Sequence, residues 1–178
     1  RWDFKDHFIQ DFDNTKDNFG VISENHQLMD INFLGESNGN ANWMHINSVQ
    51  YNEDLDQIIL GSKTLSEFYI IDHSTTTEEA ATNSGGTYGK GGDLLYRWGN
   101  PKNYHRGTEE DRILNMQHDV KFIPEGYPGA GNLTVFNNDI HNPGNKLPSL
   151  GAAFSKLKSP DVAIAIGDFG NYSAVHEI

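Results

Sequence analysis

The sequence predicts an all-β chain, and three observations predict it. Helical periodicity is nearly absent: the only sustained candidates, residues 78–82 and 150–157, are short and lie near Gly or Pro. Short apolar runs are plentiful, and each is bounded by Gly, Asn, Asp or Pro, residues that supply turn conformations. Ten Phe, seven Tyr and three Trp provide core, while 18 Gly provide turns. Aromatic, Gly-rich chains with short apolar runs fold as antiparallel sheets.

The runs, in order, are residues 45–51 (HINSVQY), 57–61 (QIILG), 67–71 (EFYII), 94–98 (LLYRW), 120–123 (VKFI), 133–136 (LTVF), 162–166 (VAIAI) and the strand-like terminus 172–178 (YSAVHEI). Spacings of about 8 to 14 residues between neighbouring runs suit meanders. A weak repeat links His45-Ile46-Asn47-Ser48-Val49-Gln50-Tyr51 to His118-Asp119-Val120-Lys121-Phe122, each followed by a turn and an apolar strand. The offset is 73 residues, longer than the roughly 40 to 50 of an ordinary propeller blade. The surplus lies in Ser74 to Lys90, STTTEEAATNSGGTYGK, which reads as a surface insertion. Strand sets that each begin on a histidine suggest a β-propeller, whose innermost strands line a central channel. The chain holds two and a half to three blades' worth of strands, fewer than the four blades that the smallest propellers have. It starts in mid-pattern at Arg1-Trp2-Asp3-Phe4 and stops on a strand. Residues 1–178 are therefore expected to be part of a single propeller domain, incomplete at both ends.

Charge and composition exclude several partners. Thirteen Lys plus Arg stand against 25 Asp plus Glu, a net charge of −12. No basic stripe is available for nucleic acid, and an anionic membrane surface would repel the chain. No run of ~18 apolar residues offers membrane insertion. Without cysteine, disulfides and zinc–thiolate sites cannot form.

Three polar constellations carry candidate chemistry. The first is Trp43-Met44-His45-Ile46-Asn47-Ser48, with Gly61-Ser62-Lys63 following. On a regular strand His45 and Asn47 share a face. An imidazole and a carboxamide together can orient an oxyanion or donate a proton to a leaving oxygen, with Lys63 as a fixed positive charge. The bland reading is that His45 caps a turn and Asn47 satisfies backbone groups. The second is Met116-Gln117-His118-Asp119, whose repeat relation to His45 sets it apart from an ordinary buried histidine. The third is Asp6-His7 with Asp11, Asp13 and Asp17, which lacks a calcium-loop pattern and reads as a solvated acidic loop. His26, His73, His105 and His141 fall in polar, loop-like sequence and are expected to face water. Gly85 to Gly92 lacks the order of a phosphate loop and reads as a flexible loop.

These motifs carry a likeness. NWMHINSVQYNEDLDQIILGSKTLSEFYIIDHSTTTEEA, GGTYGKGGDLLYRWGNP and QHDVKFIPEGYPGAGNLTVFNN, in that order, resemble the bacterial aryl-sulfate sulfotransferases. The opening RWDFKDHFIQDFD and the closing GDFGNYSAVHEI are similar to flanking strands of the same family. The resemblance implies a six-bladed propeller, a site in its central channel, and export to the periplasm or the extracellular space. It implies sulfuryl transfer from a phenolic sulfate ester to a phenol acceptor, in two steps through a sulfohistidine. No nucleotide sulfate donor, cofactor or metal is called for.

The family's sulfated histidine, in its Gln-His motif, falls on His118. Its His-x-Asn pair falls on His45 and Asn47, which would bind sulfate oxygens and assist proton transfer at the phenolic oxygen. The family's Ser-Arg pair is here Ser62-Lys63, so a planar fork is replaced by one mobile point charge that orients sulfate less well. Trp43 and Tyr51 either stack on the aryl groups or pack the sheet. A propeller without catalysis, serving as an extracellular binding or structural module, is the alternative, and a calcium-stabilised adhesion propeller is a weaker third. A homo-oligomer stays open.

Overall fold

The computed structural model describes residues 1–37, 39–138 and 174–177. They form an all-β arrangement of three sheets, with 3-10 turns and, among the described residues, no α-helix. A short parallel pair joins β1 (Phe8–Ile9) to β2 (Met29–Asp30). A four-stranded antiparallel meander follows: β3 (Ile46–Asn52), β4 (Gln57–Ser62), β5 (Glu67–Asp72) and β6 (Tyr96–Trp98). The third sheet is β7 (His118–Phe122), β8 (Leu133–Asn137) and β9 (Ala174–Glu177), again antiparallel. The helical candidate at 78–82 is only a 3-10 turn, Glu79–Ala81. The candidate at 150–157, the strand expected at 162–166 and His141 lie outside the described residues.

Burial follows from how each sheet is covered. In β7 and β8 apolar side chains alternate inward, Val120 and Phe122 on one strand, Leu133 and Val135 on the other. Every residue of β5 is buried, because both faces of its sheet are packed. Phe68 and Ile70 join Ile59, Leu114, Val120, Phe122, Leu133 and Val135 in the core between the two larger sheets. Tyr69 and Ile71 point the other way, to Leu60, Leu65, Met29 and Leu94, with Trp2, Phe4, Phe8 and Trp43 packed over them. Sequence neighbours thus serve opposite cores, as a period of two requires.

One expectation changes at the N-terminal end and one in the excursion between β5 and β6. Asp11 and Asp17 are exposed as expected, but His7 is 1% exposed. Its Nδ1 lies 2.9 Å from Asp93 Oδ1 and its Nε2 2.8 Å from Ala80 O, while its ring stacks on Trp2 at 5.4 Å. A pair of acceptors on either side of the ring is what takes this histidine out of water. The 74–90 excursion between β5 and β6 is largely exposed yet tied down. Asp72 accepts from Ser74 N and, on its other oxygen, from Tyr88 N, and Ala80 is buried. The glycine stretch is not a loose loop either. Gly91 N donates to Gly85 O and Gly92 N to Thr82 O, and a Cβ on Gly92 would stand 2.1 Å from Ala80 O.

A buried ion pair spans β5 and β6. Arg97 grips Glu67 through Nε and Nη2, and donates through Nη1 to Leu28 O and His26 O. Tyr69 Oη and Asn103 Nδ2 also donate to Glu67. No helix among the described residues is long and apolar enough to cross a membrane.

Candidate active site

The first strands of the two larger sheets, β3 and β7, run side by side in the same direction, and polar side chains stitch them together. Asn47 Nδ2 donates to Gln117 O at 2.7 Å. Val120 N donates to Ser48 Oγ at 3.3 Å, and Phe122 N to Gln50 Oε1 at 2.6 Å. Ser48 and Gln50 share a face by alternation, and so do Val120 and Phe122, which keeps the stitching in register. Gly61, opposite Ser48, lets the strands approach this closely. A Cβ there would stand 2.3 Å from Ser48 Oγ, 3.0 Å from Val120 Cγ1 and 3.2 Å from Asn47 Oδ1. Gly61→Ala is therefore expected to lose about 1–3 kcal/mol, the usual cost of overpacking a tight contact. An unchanged urea midpoint would show that the two strands tolerate separation.

His45 does not sit in β3. It precedes it, with φ of 44°, and the register slips between Ile46 and Ser48. Simple alternation therefore does not relate His45 to Asn47: a bulge re-aims the side chain, and Asn47 turns to the neighbouring sheet. Its Oδ1 is buried without a hydrogen-bond partner. The same device recurs at His118, which opens β7 with a register shift before Lys121 and φ of 54° at Asp119. Both histidines are half-buried, and each ring meets an asparagine amide. Asn42 Nδ2 lies 2.6 Å from His45 Nδ1, and Asn138 Nδ2 lies 2.5 Å from His118 Nδ1.

Gln117, beside His118, is fully buried and fills the space at the β4–β5 turn. Its Nε2 donates to Ser62 O at 2.9 Å and Glu67 O at 2.6 Å. That turn carries Lys63, whose backbone N donates to His45 O at 3.1 Å. Among the described residues no acid pairs with the Lys63 ammonium. His45, Asn47, Lys63 and the Gln117-His118 pair are thus linked through neighbouring hydrogen bonds at one end of the two sheets.

Trp43 and Tyr51 are placed differently. Trp43 donates from Nε1 to Phe33 O at 2.7 Å and packs edge-on to Phe8, so its ring belongs to the second core. Tyr51 lies near the far end of β3, about 15–20 Å along the strand from His45. There it donates to Asp56 Oδ1 at 2.9 Å and faces the His73 ring. His26, His73 and His105 are exposed. Sequence reasoning assigned no role to Gln117, Asn42 or Asn138. Gln117 stood inside a quoted motif, but nothing in a single Asn or Gln marks it as a partner across sheets.

Two imidazoles, a carboxamide and an ammonium with no acid beside it among the described residues make an all-β arrangement whose chemistry suits an oxyanion. A sequence model of the arylsulfotransferase (ASST) family matches residues 1–159. The chain belongs to that family, and at that level it is a sulfotransferase-like enzyme working between a sulfate donor and a phenol acceptor. No curated protein and no solved structure matches the chain.

Proposed function

We propose that the protein moves a sulfuryl group from a phenolic sulfate ester to a phenol by way of a sulfohistidine at His118. What supports this reading is that His118 opens β7, His45 stands just before the adjacent β3, and the residue next to His118 is bonded by Asn47. In the first step the bond from sulfur to the aryl oxygen breaks while an Nε2–sulfur bond forms. The electron pair leaves on the phenolate oxygen, which takes its proton from His45. In the second step an acceptor phenol returns a proton to His45, its oxygen bonds sulfur, and the His118 nitrogen leaves with the electron pair of the broken nitrogen–sulfur bond. Lys63 and Asn47 hold the sulfate oxygens as charge builds on them. The sheets belong in this proposal to a six-bladed propeller with the site in its channel, exported to the periplasm or the cell surface.

Incubation with an aryl [35S]sulfate tests the mechanism. Label should stay on the protein until a phenol is added, and the rate pattern should be ping-pong. Phenol-stimulated transfer with no labelled protein would sink the carrier step, and no transfer with any donor would favour the non-catalytic module. Lys63→Arg should raise kcat/KM about tenfold, because the fork grips two sulfate oxygens where an ammonium grips one. An equal or lower value would place the sulfate away from residue 63.

A further inference from the structure

We propose that Asn138 is a positioning residue that sets the tautomer of His118. This rests on the carrier role proposed above, although the tautomer can be read without turnover. Asn138 follows the last residue of β8, and its Nδ2 donates to Met116 O. The same nitrogen lies 2.5 Å from His118 Nδ1. A carbonyl oxygen only accepts, so Met116 decides which end of the amide faces the ring. An amide N–H offers no lone pair, so Nδ1 must be the acceptor. The single proton of the neutral ring then sits on Nε2.

At rest His118 therefore presents a donor, Nε2–H, suited to an oxygen of an arriving sulfate ester. It does not present the lone pair that attack on sulfur needs. Freeing that lone pair requires the ring proton to move to Nδ1 and the Asn138 amide to turn its oxygen towards it. The turned amide would aim Oδ1 at Met116 O, two acceptors face to face, so the resting tautomer is the favoured one. Asn138 thus holds the nucleophile in reserve. His45 has a matching contact, its Nδ1 standing 2.6 Å from Asn42 Nδ2.

Nitrogen-15 NMR of histidine-labelled protein at alkaline pH, with His118→Asn to assign the signals, tests the proposal. Wild type should show an unprotonated Nδ1 and a protonated Nε2 at His118. Asn138→Asp should exchange the two, since a carboxylate accepts from Nδ1–H. A protonated Nδ1 in wild type would overturn the proposal, as would an unchanged tautomer in a folded Asn138→Asp protein. If that variant does not fold, the wild-type signals decide by themselves. A confirmed tautomer in a protein that transfers no sulfuryl group would leave this inference standing and remove the proposed function.

Discussion

Arg97→Met is expected to lower the unfolding free energy by about 3–5 kcal/mol, the cost of leaving one partner of a buried ion pair alone. Glu67 is fully buried and Arg97 nearly so. Burial by itself weakens the guanidinium's hold on its proton, but the charge and hydrogen bonds of Glu67, with the nearby Tyr69 and Tyr104, more than offset it, and the net shift is upward. The same burial, with the Glu67 charge beside it, pushes the Tyr69 phenol well up. Without Arg97 the carboxylate would keep, among the described residues, Tyr69 Oη and Asn103 Nδ2 as donors and no opposite charge, and the carbonyls of Leu28 and His26 would lose the Arg97 donor. The stacking of the guanidinium on the Tyr104 ring at 4.3 Å would go too. In a thermal melt the loss corresponds to a drop of roughly 6–20 °C in Tm for a protein of this size. Glu67→Gln combined with Arg97→Met should cost less than the two single changes added together, because neither variant then strands a charge. A double variant that is fully additive would mean that the two groups do not depend on one another.

Much of this fold was legible because strand runs declare themselves locally. Residues 57–61, 67–71 and 133–136 become β4, β5 and β8 within a residue at either end, since each is apolar, short and bounded by turn formers. The repeat marked two histidines 73 residues apart, and the fold sets His118 at the start of β7 and His45 just before the neighbouring β3. What escaped depends on contacts between distant residues. His7 looked like part of an acidic loop because Asp6 and Asp11 flank it, and only the fold brings Asp93 and Ala80 to its ring. The bulge that turns Asn47 away from His45 is a one-residue register shift, invisible to a period-two count. Glu67 and Arg97 are polar residues in apolar strand runs and Gln117 stands just before β7, and a sequence gives no sign of which buried polar group will find a partner.

His118→Asn should abolish turnover while leaving the fold nearly intact. Loss of a covalent nucleophile lowers kcat by about 10⁴-fold or more when the rest of the site remains, and no labelled protein should form. The structural cost should stay near 1 kcal/mol. The His118 ring is half-buried and its one described hydrogen bond is to Asn138, whose amide keeps Met116 O as a second acceptor. The work of holding β7 against the four-stranded sheet falls on the neighbour, Gln117, through Ser62 O and Glu67 O. Comparing the two positions separates chemistry from structure. Gln117→Ala should lose stability and activity together, because it removes a buried side chain and its hydrogen bonds to Ser62 O and Glu67 O, whereas His118→Asn should lose activity alone. A His118→Asn protein that still turns over aryl sulfate in the presence of phenol would move the carrier role elsewhere. A variant that loses activity and melts as early as Gln117→Ala would reduce His118 to a structural residue. With a net charge of −12 repelling an anionic ester from the surface as a whole, binding has to be won locally, where Lys63 stands beside His45 without an acid partner among the described residues. Removing the carrier at His118 should therefore largely spare donor binding, and a change of more than a few-fold in the Kd for an aryl sulfate, read by calorimetry, would count against that division of labour.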